Sequence, residues 1–136
     1  MCDEFSKEFS NIDKVHFVDS WESILILNEI SLVYSNSTMQ YFSDDNFFKN
    51  FKKINPPKYL LFDDFIVTDT KSYWTLQNYY GNFIPYCFRN LEEFNLKMLE
   101  LGYSVTSIED YKQTLTPGFI YGKEKMPQTI VYQLRM

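Results

Sequence analysis

The sequence predicts an α/β layer structure on a mainly parallel sheet. Two observations lead there. Helices with clear start and stop signals alternate with short, continuous apolar runs of strand formers, the pattern of strands covered on both faces. Three of those runs also end in polar side chains: Val18 gives way to Asp19-Ser20, Tyr34 to Ser35-Asn36 and Phe62 to Asp63-Asp64. In an open parallel sheet the carboxyl ends of the strands share one edge, where ligands bind. The 136 residues suffice for one domain, 1–136, with one core.

The elements follow in order. Asp3–Ile12 has Phe5, Phe9 and Ile12 at helical spacing. Lys14–Val18 reads as a strand, and Trp21–Asn28 is ambiguous between helix and loop. Ile30–Tyr34 is a second strand. Ser43 is an N-cap residue followed by Asp44 and Asp45, with Phe47, Phe48, Phe51 and Ile54 forming an apolar face before Pro56-Pro57 ends the helix. Tyr59–Phe62 is a third strand, ending at Asp63-Asp64. A second helix starts at Asn90, with Glu93 at the capping-box position, a buried stripe of Leu91, Phe94, Met98 and Leu101, and Gly102 as its stop. Tyr103–Ile108 and Thr129–Leu134 are the last strands, separated by the turn-rich Pro117–Gly122.

Between the third strand and the second helix lies Tyr73–Phe88, YWTLQNYYGNFIPYCF, with seven aromatics. Gly81 and Pro85 rule out a continuous helix, and the pattern is not a clean alternation. The stretch is predicted to be a long loop, of the kind that forms lids and binding loops or packs on the core.

Charge narrows the function classes. A net charge of −5 without a basic run argues against nucleic acid. No apolar stretch approaches the roughly 20 residues of a membrane span, and the polar N-terminal MCDEFSKEF is not a signal peptide, so a cytoplasmic protein is expected. Cys2 and Cys87, far apart in sequence, suit free thiols in a reducing compartment. His16, the sole histidine, lies inside a predicted strand, which leaves no support for a Ser-His-Asp triad. All four glycines lie beyond residue 80, so there is no Gly-rich strand-to-helix turn to cradle a phosphate. The polar strand ends remain: they are candidate site residues, and also ordinary turn and cap residues.

Tyr34–Phe42 (YSNSTMQYF), Trp74–Gly81 (WTLQNYYG), Ile84–Tyr86 with Arg89-Asn90 and Phe94, and Leu101-Gly102-Tyr103 together resemble a family of class I S-adenosylmethionine-dependent methyltransferases from bacteria, often encoded near surface-polysaccharide genes. The resemblance runs from about Phe5 to about Tyr111. It implies a partial Rossmann-like methyltransferase fold with an antiparallel C-terminal strand pair. Lys14–Val18, Ile30–Tyr34 and Tyr59–Phe62 would be its third, fourth and fifth strands. The first two strands, with the Gly-rich turn and the ribose-holding acid, would precede Met1. S-adenosylmethionine would then lie beside Asp19, Ser20, Ser35 and Asn36. A small acceptor, such as a sugar or sugar conjugate, would meet Gln40, Tyr41, Gln77, Asn78, Tyr80 and Tyr86. Asp63 or Asp64 would be the base.

Two other readings stand beside this one. A non-catalytic interaction module would pair its exposed strand edges and aromatic loop with another chain, or with a second copy, that completes the sheet. A metal-dependent hydrolase would use Asp63 and Asp64 as ligands or base.

Overall fold

From its first described strand onward, the chain runs strand, helix, strand, hairpin, helix, strand, strand. The computed structural model describes residue 24, residues 29–110 and residues 127–135. The expected helix Asp3–Ile12, the strand Lys14–Val18, the segment Trp21–Asn28 apart from the helical Ile24, and the turn Pro117–Gly122 lie outside the described residues. The elements are β1 (Leu32–Asn36), a one-turn 3-10 segment (Met39–Tyr41), α1 (Asp44–Phe51), β2 (Tyr59–Thr68), β3 (Tyr73–Tyr79), β4 (Asn82–Asn90), α2 (Leu91–Glu100), β5 (Tyr103–Asp110) and β6 (Pro127–Leu134).

Both helices start where their caps dictate. Ser43 is extended, and its hydroxyl accepts the Asn46 N–H at 3.2 Å. Asn90 does the same for the Glu93 N–H at 3.0 Å. The second cap differs from a simple capping box in one respect. The Asn90 N–H goes to Ser72 Oγ, and the Ser72 hydroxyl in turn donates to Glu93 Oε2 at 2.8 Å, so Ser72 stands between the two partners. Gly102, at φ +87°, closes α2 in the left-handed conformation that glycine adopts without strain.

The architecture is mixed α/β. The strand order is β3-β4-β2-β6-β5, with β1 beside β2. β1 and β2 are parallel from Leu32↔Tyr59 to Asn36↔Asp63, and β2 meets β4 in a short parallel contact at Val67↔Arg89 and Thr68↔Asn90. The β2/β6, β5/β6 and β3/β4 pairings are antiparallel. The sheet is thus mainly antiparallel, where a mainly parallel one is expected from the sequence.

Two local features cause that difference. β2 does not end at Asp63-Asp64; it bulges there and continues through Phe65–Thr68. The aromatic stretch is not a long loop but a β-hairpin, paired from Tyr73↔Phe88 to Tyr79↔Asn82. Its turn, Tyr80-Gly81, has positive φ at both positions (+49° and +83°), the conformation that matches the twist of a two-residue hairpin. The Asn78 side chain accepts the Gly81 N–H at 2.9 Å.

α1 and α2 cover one face of the sheet. Phe94 of α2 lies within ring contact of Phe65 (4.9 Å) and Phe62 (6.0 Å), and Phe47 of α1 meets Phe62 edge-on (6.0 Å). Leu60, Met98, Ile130 and Tyr132 complete this core. Arg89, 1% exposed, is buried inside it. Its guanidinium bonds Asp44 Oδ1 at 2.6 Å and the Phe42 carbonyl, and sits over the rings of Phe65 and Phe94. Lys97 takes the other Asp44 oxygen at 2.9 Å, so Asp44 ties α1 to both β4 and α2.

Candidate functional site

The polar ends of β1 and the middle of β2 come together. Parallel pairing sets Asn36 opposite Asp63, and the Ser37 N–H extends the ladder by one bond to the Asp63 carbonyl at 3.1 Å. At this point both strands break regularity. The β2/β6 register shifts between Phe62 and Phe65, leaving Asp63 and Asp64 opposite Thr129 alone. Asp64 stands at φ +51° and Ser37 at φ +48°, both left-handed without being glycine. Bulges of this kind re-aim side chains, and non-glycine residues held in the left-handed region cluster at functional sites.

The two acids end in different surroundings. Asp63 is fully engaged: Oδ1 accepts Thr129 Oγ1 at 2.6 Å, and Oδ2 accepts Asn36 Nδ2 at 2.9 Å and, weakly, Tyr34 OH at 3.4 Å. It pins β1, β2 and β6 together. Asp64 has one oxygen against the Ser37 hydroxyl, while its Oδ1 is buried without a hydrogen-bond partner among the described residues. The Ser37 hydroxyl also lies 2.9 Å from Asn36 Oδ1; having one proton, it serves one of these oxygens at a time. Burial pushes the Asp64 carboxyl above the ordinary carboxylate range; the Ser37 bond opposes this and the Asp63 charge adds to it.

Beside this cluster, the 3-10 segment meets the inner face of the hairpin. Tyr41 OH donates to Gln77 Oε1 at 3.1 Å, and the Tyr41 ring packs edge-on against Tyr86 at 5.7 Å. Burial raises the Tyr41 phenol, with the charges of Tyr79 and Asp64 adding and a Gln40 bond opposing. Gln40 is 3% exposed and its Oε1 has no partner among the described residues; Gln128 Oε1, one residue before Thr129, shares that state.

The structure therefore groups Asn36, Asp63 and Asp64 at one strand end, and Tyr41, Gln77 and Tyr86 between the 3-10 segment and the hairpin. Asn78 and Tyr80 are elsewhere. Asn78 faces the outer side of the hairpin and holds its turn, and Tyr80 forms that turn, 89% exposed. Ser35 shares the inward face of β1 with Val33, which packs on the core. Asp19 and Ser20 lie outside the described residues.

Ser37 and Thr129 are the members that sequence reasoning missed. The signal was present: Asp63-Asp64 sits between two apolar strand runs, YLLF and FIVT, which is how a bulge inside one long strand reads. No known family model matches the chain, and the curated proteins give no match to it. Among the described residues no cluster of three or more His, Cys, Asp or Glu could hold a metal ion, and no helix is long and apolar enough to cross a membrane.

Proposed function

We propose that this chain serves methyl transfer from S-adenosylmethionine to a small hydroxyl-bearing acceptor, such as a sugar or sugar conjugate, in the cytoplasm. The observation that carries the proposal is Asp64: a left-handed bulge residue whose Oδ1 is buried without a partner among the described residues and whose proton affinity burial raises. A carboxylate in that state suits the removal of a proton from a hydroxyl at neutral pH. Asp63, with both oxygens engaged, is the positioning residue beside it, not a second base.

The strand arrangement supports the Rossmann-like part of the reading. Two adjacent parallel strands, β1 and β2, followed by an antiparallel pair at the sheet edge, β6 and β5, are what the resemblance implies for the later half of such a domain. The donor site is judged by its chemistry. Asp64 Oδ1 is an acceptor oxygen without a partner among the described residues, beside the Asp63 carboxylate, and S-adenosylmethionine is a sulfonium that also carries an ammonium group, so the charge at the strand break suits the group. Asn36, at the end of β1, is the described residue placed to meet it. All four glycines lie beyond residue 80 and none provides the Gly-rich turn that the resemblance assigns to donor binding, so the loose, micromolar end of the affinity range is expected. When bound, S-adenosylmethionine supplies the methyl group. This chain's residues orient the acceptor through Tyr41, Gln77 and Tyr86 and hold its proton on the Asp64 carboxylate.

Calorimetric titration of the folded chain with S-adenosylhomocysteine tests the reading. Binding in the micromolar range is expected; a folded chain that gives no binding heat contradicts it.

A further inference from the structure

We propose that two copies of this chain pair through the outer edge of β3, continuing the hairpin across a two-fold axis. β3 is terminal in the strand order, and among the described residues it pairs with β4 alone. The two-residue turn fixes which groups are left over. Tyr79 and Asn82 close the turn as a hydrogen-bonded pair, so Gln77, Thr75 and Tyr73 also bond to β4, and Trp74, Leu76 and Asn78 present their N–H and C=O groups outward.

Edges of this kind are normally blunted by Lys, Pro or an inward charge. β3, YWTLQNY, carries none of these and is rich in strand formers. The whole stretch Tyr73–Phe88 lacks a charged residue, although 23% of the chain is charged and its net charge is −5. Two copies meeting here bring no charges of this stretch together.

The outer hairpin face is apolar as well. Trp74, Leu76 and Phe83 share it and are 48%, 63% and 69% exposed, and Tyr79 and Tyr80 stand out at the tip. Edge-to-edge pairing covers the β3 backbone edge and brings Trp74 and Leu76 beside their cross-strand neighbours, while Phe83 on β4 stays on the open face. The buried area is therefore below the roughly 800 Å² per partner of a standard interface, in keeping with micromolar association.

A second copy fits this edge because an antiparallel strand is complementary to itself. With Leu76 on the axis, Leu76 faces its own image and Trp74 faces Asn78 of the other copy. Each of these residues is one whose backbone groups point outward. The pairing is independent of the chemistry at Asp64, on the opposite side of the hairpin.

Sedimentation equilibrium on the full chain, with Leu76→Lys and Leu76→Cys alongside, tests the proposal. The parent chain is expected to dimerise at micromolar concentration. Leu76→Lys, at an exposed position, should raise the dissociation constant at least tenfold while leaving the circular dichroism spectrum and Tm in place. Leu76→Cys should form a covalent dimer on mild oxidation that the parent chain does not, since paired Cα atoms about 5.5 Å apart can be bridged. A chain that stays monomeric up to about 100 μM, or a dimer indifferent to Leu76→Lys and not trapped by Leu76→Cys, overturns it.

Discussion

Asp64 and Asp63 are neighbours of one chemical type, and their surroundings separate them. Asp63 accepts three side-chain hydrogen bonds, and Asp64 accepts one and keeps a buried oxygen without a partner among the described residues. A buried carboxylate with a raised pKa weakens the fold as it ionises, because between its unfolded and folded pKa the native state binds more protons than the unfolded chain. The sign follows. Asp64 lowers stability increasingly as pH rises from the unfolded carboxylate range through its folded pKa, and the penalty is complete above that. Asp64→Asn removes the penalty and keeps an oxygen for Ser37. It is therefore expected to raise Tm at pH 7, leave Tm unchanged or lower it at pH 3, and abolish the proposed methyl transfer. Thermal melts at the two pH values check the stability part. A residue serving structure alone would lose stability at pH 7 on the same substitution. The adjacent acids are plain in the sequence; their division of labour is not, since it depends on Thr129, distant in sequence and brought alongside by the β2/β6 register.

At the scale of elements, the helices were legible and the hairpin was not, for a physical reason. Caps are local: Ser43 and Asn90 bond to residues three positions on, so their signal is written in adjacent sequence. The hairpin carries aromatics on both faces, Trp74 and Phe83 outward, Tyr73 and Tyr86 inward, which erases the alternation that marks a strand. Its turn also lacks the usual Asn-Gly pair, because Tyr80 occupies the first left-handed position. That choice costs about 1 kcal/mol in backbone strain. Tyr80→Asn is expected to recover most of it, raising Tm by about 3 °C. Gly81→Ala should lose about 1 kcal/mol even though a Cβ there would meet nothing, the loss being conformational. Denaturant unfolding of both variants measures the two effects.

At the scale of the molecule, one buried charge locks the layers together. In the sequence Arg89 enters only through the family resemblance, beside Asn90, and its partner Asp44 reads as a first-turn acid of a helix; nothing local joins them. The fold places them 2.6 Å apart in the core. The two halves of the pair are unequal. Asp44→Ala leaves a buried guanidinium without its counter-charge, bonded to the Phe42 carbonyl only among its described hydrogen-bond partners, and should cost about 3–5 kcal/mol. Arg89→Met leaves Asp44 part-exposed and still bonded to Lys97, and should cost less. Burial alone would raise the Asp44 carboxyl, but Arg89 and Lys97 outweigh it and hold it below the ordinary range. Its contribution is thus present above the unfolded carboxylate pKa and disappears as pH falls through the lower folded value. Acid unfolding should begin at higher pH in Arg89→Met than in the parent chain, and a pH series of melts shows whether it does. The layer class was readable from alternating elements. The antiparallel bias was not, because it comes from β2 continuing past its bulge and from a hairpin whose pattern was masked.

The central claim is that the strand break at Ser37 and Asp64 is a ligand site. Amide chemical-shift mapping during titration with S-adenosylhomocysteine tests it most directly. Perturbations saturating in the micromolar range and concentrated at Asn36–Tyr41 and Asp63–Phe65 are the expected result. A folded chain whose amides in those two segments do not move, at millimolar ligand, would contradict it.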